Sequence, residues 1–318
     1  MGRAIKNVNV AVIGGAGFLG SHLVDHLTED RGCKVLVLDN LITGLKKHIN
    51  PKAEFLWCDI THSEEQLRRI FQNYKIEYVF NYAAEPYIPV SFERPLHVFD
   101  INARGALMVM NAAQEAGVKA VLQVSSAEIY GDAPEHKINE EYPARPHSTY
   151  GAAKLAIDNL VQSRWKENKM PAIALRQFNC LGERETHEYV VPEIISQLAM
   201  SDTVRLGNNS FRDFQYAGDA VRMATELLEK GEFGEVYNMG SEGGVKIYDL
   251  AELIGTAMGK KITVQPDEKR IRPWEIWHLQ SDNTKIYSVV QTRPQVSLED
   301  SVARTVAYFK ENGNRWDF

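Results

Sequence analysis

The chain has 318 residues, of which 44% are hydrophobic and 25% charged, and its formal net charge is −6. This is an ordinary globular composition, which excludes a disordered, collagen-like or low-complexity chain. The acidic balance argues against a general nucleic-acid binder, because backbone phosphates are held by clustered Lys and Arg; a small phosphorylated ligand needs only two or three local cations and stays open.

Three cysteines, Cys33, Cys58 and Cys180, show no CxxC spacing and make a poor disulfide framework, so a reduced, cytoplasmic setting is expected. No apolar run approaches the roughly 18 residues that span a bilayer, and Met1 to Val8 holds no apolar signal core. No membrane is expected.

In chain order, Val8–Ile13, Lys34–Leu38, Ala53–Trp57, Tyr78–Asn81, Ala120–Ser125 and Ala172–Gln177 read as buried strands, being short, apolar and β-branched. Leu19–Leu27, Glu64–Asn73, Asn102–Ala116 and Thr149–Glu167 between them carry helical periodicity. Strand–helix alternation predicts a Rossmann-like, doubly wound α/β fold with a parallel sheet. After Asn179 the rhythm changes: helices are expected at Val191–Ala199, Gly218–Lys230 and Tyr248–Met258, with longer loops at Gly182–Tyr189 and Asp267–Ser281. This half reads as a smaller, substrate-facing C-terminal lobe.

The first strand runs into Gly14–Gly–Ala–Gly17–Phe18–Leu19–Gly20. Glycine lets the chain turn sharply and approach a pyrophosphate, and the helix that follows offers unpaired N–H groups and its positive dipole end. Asp39 closes the second strand about 20 residues on, where a carboxylate accepts hydrogen bonds from an adenosine ribose and repels a 2′-phosphate, so NAD is favoured over NADP. Asp59, at the end of the third strand, is expected at the adenine edge.

Tyr150 and Lys154, at i and i+4, share a helix face. A cation so placed lowers a phenol's pKa and fits it to take a proton from a sugar hydroxyl. Ser126 and Glu128 follow an apolar strand at its carboxyl end, where ligands of open α/β sheets bind. Ser126 is expected to hold the reacting hydroxyl, and Glu128 to shuttle a proton.

With these motifs the chain resembles the extended short-chain dehydrogenase/reductase family of nucleotide-sugar enzymes, over nearly its whole length. The residues that carry the resemblance are the glycine loop, Asp39, Asn81–Tyr–Ala83–Ala84, Ser125–Ser126 ahead of Tyr130–Gly131, Tyr150–Lys154, Phe178–Asn179, Arg212–Asp–Phe–Gln–Tyr216, Asp219 and Tyr237–Asn–Met–Gly240. The resemblance implies Tyr150 as base, Lys154 on the nicotinamide ribose, and Asn102 on the cofactor side. Gly14, Gly17, Phe18, Leu19, Gly20, Asp39, Asn40, Asp59, Ile60, Ala83 and Ala84 are the implied NAD contacts. Glu85, Tyr87, Ser126, Asn179, Arg212 and Arg272 are the implied contacts to a nucleotide-diphosphate sugar, the two arginines gripping its diphosphate. The division that follows is 1–178 plus about 213–239 for NAD, and about 179–212 and 240–318 for the sugar nucleotide. The family also implies a homodimer, with Asn102–Ala116 and Thr149–Glu167 pairing with their mates as a four-helix bundle. Where the family usually has Tyr-Gly-Pro, this chain has Cys180–Leu181–Gly182.

Oxidation at C4 of the sugar is the shared first step, and three outcomes compete. A 4-epimerase needs no further acid or base, a 4,6-dehydratase needs a base at C5, and a decarboxylase needs a uronate. Glu128 sits where the family's dehydratases and decarboxylases carry Glu, and the stretches Arg270–Lys285 and Tyr189–Ile195 also look like dehydratases of UDP- or GDP-linked hexoses and N-acetylhexosamines. Against this, Ala127 replaces an acidic or polar residue and cannot protonate a leaving hydroxyl. A 4,6-dehydratase is favoured, then a 4-epimerase, then a decarboxylase; a catalytically silent NAD-binding regulator and an ordinary alcohol dehydrogenase are the other classes. Ser91 is expected to help wall the sugar pocket, and Trp274 and Trp277 read as core or interface. His187 and His278 lack further ligands at metal spacing, so no metal is expected.

Overall fold

The computed structural model describes residues 3–131, 133, 136–185, 189–271 and 274–313. Its centre is a seven-stranded sheet of β1 (Asn9–Ile13), β2 (Lys34–Asp39), β3 (Glu54–Trp57), β4 (Tyr78–Asn81), β5 (Ala120–Ser126), β6 (Ala172–Gln177) and a later strand, β11 (Val236–Met239). The order across the sheet is β11-β6-β5-β4-β1-β2-β3, and every pairing is parallel. The direction of winding reverses between β1 and β4, which opens a crevice beyond their carboxyl ends.

The period-two alternation of β1 divides its side chains between two apolar layers. Val10 and Val12 pack with Leu23 and Leu27, and with Ala220, Met223 and Leu227 of α8 (Ala217–Lys230). Ala11 and Ile13 face the other way, towards Leu67 and Phe71 of α2 (Glu64–Asn73), Val109 and Met110 of α5 (Ala106–Glu115) and Ile157 and Val161 of α6 (Thr149–Asn168). Burial on both faces is why these strands read as unbroken apolar runs.

The first helix, α1, covers Phe18–Asp25 and continues as a widened π-type turn over His26–Asp30. The expected helix over Asn102–Ala116 is part of a broken series. Ahead of it come α3 (Ile88–Glu93) and α4 (Pro95–Phe99), each with proline in its first turn, then a widened turn over Asp100–Gly105, and only then α5. Proline is favoured at a helix start and cannot continue a helix that precedes it, so the chain re-initiates.

Beyond β6 the chain lays down small sheets that the sequence pattern did not announce. β7 (Asn179–Leu181) pairs with β10 (Phe214–Tyr216), and β8 (Thr203–Leu206) with β13 (Thr263–Pro266); β9 (Phe211–Arg212) lies between β12 (Val245–Lys246) and β14 (His278–Leu279). A third core joins α7 (Val190–Met200), α9 (Ile247–Met258) and α11 (Leu298–Asn312) through Ile194, Leu198, Leu250, Ile254, Val302 and Val306. The short α10 (Thr284–Tyr287) returns to the first layer through Ile286. Two motif residues act as ties: Asp219 accepts from the amides of Gln295 (2.8 Å) and Val296 (2.9 Å), and Asn238 accepts from the Tyr130 hydroxyl (2.6 Å). No described helix is long and apolar enough to cross a membrane.

Candidate active site

A cavity of about 430 Å³ runs across the carboxyl ends of the central strands. One stretch of its wall is the glycine loop and the end of β2. Gly14 has φ +77°, and a Cβ there would lie 2.7 Å from the Ala83 nitrogen. A Cβ on Gly20 would lie 2.0 Å from the Gly14 carbonyl oxygen. Both glycines are therefore fixed by space. No side chain caps α1 at Gly17, so its first-turn amides are left for a ligand. Asp39 is buried and braces this loop, accepting from the amides of Ala16 (2.9 Å) and Leu41 (2.8 Å). Asn40 donates to Asp59 (3.1 Å), joining the two strand-end acids. Gly17, Phe18, Leu19, Asn40, Asp59, Ile60, Ala83 and Ala84 all line the cavity. A flat, amide-rich cradle that any Cβ would fill, edged by a carboxylate, fits a dinucleotide.

Beyond it lie Ser126, Glu128, Tyr150 and Lys154, brought together by β5 and the first turns of α6. The Ser148 hydroxyl caps α6 by accepting from the Gly151 amide (3.0 Å), which fixes where Tyr150 starts. The Tyr150 phenol is hydrogen-bonded to Ser126, and the Ser126 hydroxyl accepts from the Glu128 amide (3.2 Å). Lys154 is buried; its Nζ donates to the Val124 carbonyl (2.8 Å) and lies 5.8 Å from the centre of the Tyr150 ring. Burial lowers the Lys154 pKa to about 8, with Asp158 opposing.

The expectation that Lys154 lowers the phenol's pKa is corrected by this arrangement. Burial raises Tyr150 above the ordinary phenol value; the Ser126 hydrogen bond opposes this, and the Glu128 and Glu85 carboxylates add to it. The ammonium is turned to a backbone carbonyl, while the Glu128 and Glu85 carboxylates lie within electrostatic reach of the phenol.

Asn102 is also corrected. It is buried off the cavity wall and donates to the Glu85 carbonyl (3.0 Å), so it positions the sugar-side loop. Glu85 and Tyr87 line the cavity, and burial raises the Glu85 carboxyl pKa. Ser91 is buried in α3 away from the wall, and so does not reach the pocket it was expected to line. Asn179 and Arg212 line the far end, where the Arg212 guanidinium pairs with Glu275 (2.9 Å). Arg272 and His187 lie outside the described residues. Trp274 and Trp277 are exposed, which corrects the expectation of core for them, and His278 stacks on Phe211 at 4.4 Å.

Arg270 and Tyr189, which open the two dehydratase-like stretches of the sequence, are on the same wall, although neither was named as a site residue. Arg270 lies two residues before Arg272 and is bound to Glu193 (2.8 Å). Glu185, also on the wall, was missed: it sits in a loop with no periodicity, and nothing local marks it.

The family model described as GDP-mannose 4,6 dehydratase matches residues 11–305. The dTDP-D-glucose 4,6-dehydratase of Mus musculus is 30% identical over 321 residues, covering 96% of this chain and 90% of its own. The crystal structure of the Thermus thermophilus UDP-glucose 4-epimerase in complex with NAD superposes with a TM-score of 0.88 at 28% identity, covering 96% of this chain and 99% of that one. DesIV, a dTDP-glucose 4,6-dehydratase from Streptomyces venezuelae solved with NAD bound, gives a TM-score of 0.88 at 26% identity, with 96% and 97% covered. With the dinucleotide cradle and the Ser126–Tyr150–Lys154 cluster in place, this chain belongs to the GDP-mannose 4,6-dehydratase family, the NAD-dependent epimerases and dehydratases of nucleotide sugars within the extended short-chain dehydrogenases/reductases.

Proposed function

We propose that the protein is an NAD-dependent 4,6-dehydratase of a UDP- or GDP-linked hexose or N-acetylhexosamine, working through a 4-keto sugar. The observation that carries this is Glu128, a carboxylate on the cavity wall two residues from Ser126 and within electrostatic reach of Tyr150. Gly14 to Gly20, Asp39, Asn40, Asp59, Ile60, Ala83 and Ala84 hold the cofactor, with Tyr150 and Lys154 at its far end. NAD, when bound, takes and returns the hydride and brings a positive charge that offsets the carboxylates raising Tyr150.

The residues divide the rest. Ser126 holds the C4 hydroxyl while Tyr150 takes its proton. The ketone acidifies C5, and Glu128 removes that proton and later gives one back. Because Ala127 carries no acid, Glu128 or a water serves the leaving C6 hydroxyl. Asn179, Arg212 and Arg272 hold the diphosphate, guanidinium forks matching phosphate geometry. The segments 179–212 and 240–318 form the sugar-nucleotide lobe, and the protein works as a cytoplasmic homodimer.

A second reading, 4-epimerase, is favoured by Ala127, which offers no acid for a leaving hydroxyl, and is matched by a Thermus epimerase that superposes as well as DesIV does, each with a TM-score of 0.88. Product mass separates the two when the protein is given NAD and a panel of UDP-, GDP-, CDP- and dTDP-hexoses. Loss of one water supports dehydration, and unchanged mass with inverted C4 supports epimerisation. Glu128→Gln is expected to abolish water loss and spare C4 oxidation; full-rate dehydration by that variant overturns the role given to Glu128. Tyr150→Phe is expected to cut turnover by about 10²–10⁴-fold with NAD still bound.

A further inference from the structure

Glu185 follows β7 on the cavity wall and is 5% exposed. Its Oε2 is sealed from solvent and has no hydrogen-bond partner among the described residues. Burial holds its carboxyl pKa well above the ordinary range. Folded proteins seldom leave a buried carboxyl oxygen unpaired, because its desolvation is then uncompensated. An orphan of this kind on a ligand cavity marks a partner that the ligand brings.

Its neighbours say which part of the ligand. Tyr189, which also lines the cavity, lies within electrostatic reach of Glu185, Tyr150, Glu85 and Tyr87. Glu185 therefore lies on the stretch of wall that Tyr189 joins to Tyr150, Glu85 and Tyr87. The cations on the described wall are Lys154, Arg212 and Arg270. The first is turned to the Val124 carbonyl; the other two are paired with Glu275 and Glu193 around Asn208 and Ser210, at the opposite end. One end of the cavity is thus rich in carboxyls and the other holds guanidinium groups.

We propose that Glu185 is a specificity-determining residue whose carboxyl hydrogen-bonds an uncharged polar group of the bound sugar, a hydroxyl or an acylamino N–H. The inference rests on the nucleotide-sugar reading of the cleft, and deepens it by assigning this carboxyl to the sugar rather than to the diphosphate or the cofactor.

Titration calorimetry of the NAD-loaded protein tests it. The probes are the panel's tightest nucleoside-diphosphate hexose and that hexose's parent nucleoside diphosphate. Glu185→Leu is expected to weaken the hexose about tenfold and to leave the bare diphosphate and NAD unchanged. Glu185→Gln keeps the shape and both hydrogen-bonding functions, and is expected to recover the affinity to within about threefold of the parent protein; it also guards against a folding failure in the leucine variant. Equal loss of NAD or of the bare diphosphate in Glu185→Leu assigns the oxygen to those groups and overturns the proposal. So does unchanged hexose binding in that variant. If the parent protein binds a bare diphosphate but no hexose derivative, the nucleotide-sugar reading fails and takes this inference with it.

Discussion

Lys154 is a buried ammonium with one close acceptor, the Val124 carbonyl, and its pKa stands at about 8 against an ordinary 10.5. Below pH 8 both the folded and the unfolded chain hold the proton, and the folded state bears a cost of about 3 kcal/mol for burying the charge. Between pH 8 and 10.5 the folded chain releases the proton first. The unfolded chain then binds more protons, so stability from this group rises with pH across that window. Lys154→Met removes the charge and leaves the Val124 carbonyl short of one bond, worth about 1 kcal/mol. The variant is expected to be about 2 kcal/mol more stable than the parent below pH 8, with the gain shrinking as pH rises and turning into a loss of about 1 kcal/mol above pH 10.5, while turnover collapses. Denaturation midpoints from pH 7 to 10.5 check this; a gain that does not change with pH removes the buried charge as its cause. At this scale Tyr150 and Lys154 were legible in the sequence because four residues of helix place them on one face. The raised phenol was not, because the burial that raises it, and the Glu128 and Glu85 carboxylates that add to it, come from elements distant in the chain. Glu185 was invisible for the same reason: an acid in an aperiodic loop acquires its meaning from where the loop folds.

The strand–glycine–helix element is the part of the fold that the sequence specified most completely, since local sterics decide it. Gly20 shows why. Its Cβ would overlap the Gly14 carbonyl at 2.0 Å, both atoms belonging to backbone that β1 and α1 hold in place. Gly20→Ala is expected to cost about 3 kcal/mol, at the upper end of overpacking, and to weaken NAD at least tenfold. Gly117 is the control: it has φ +76°, and a Cβ there would find nothing within 4 Å, so Gly117→Ala meets only backbone strain, about 1 kcal/mol, and NAD affinity holds. Thermal melts with and without NAD distinguish the two, and equal losses would mean that the backbone around Gly14 and Gly20 gives way and the clash costs little. The broken run α3–α4–α5 was legible only in part. Its apolar periodicity resumes after each interruption, so the last stretch looked like one helix from Asn102, although Asp100–Gly105 is a widened turn. Small sheets such as β9 with β12 and β14 escaped altogether, because two-residue strands carry no period.

At the scale of the whole molecule, one surface is out of keeping with a monomer. Leu96 is 85% exposed, and Phe92 and Phe99 are 41% and 45% exposed, all on α3 and α4, which pack against α6. Large apolar side chains clustered on one face mark an association surface more often than chance exposure does. The homodimer proposed above places this face at or beside the paired helices of the two copies. A stable dimer buries about 1,200–2,000 Å² in total, which needs α5 and α6 as well as these three side chains. Light scattering at micromolar protein is therefore expected to return twice 36.0 kDa. Leu96→Glu desolvates a charge in the centre of that contact and is expected to shift the mass to a single chain, while leaving the far-UV spectrum intact, because the side chain touches little of its own fold. A monomer in the parent protein removes the dimer. A dimer that survives Leu96→Glu together with Phe99→Glu moves the interface to another face, and the exposed apolar cluster then needs a different partner.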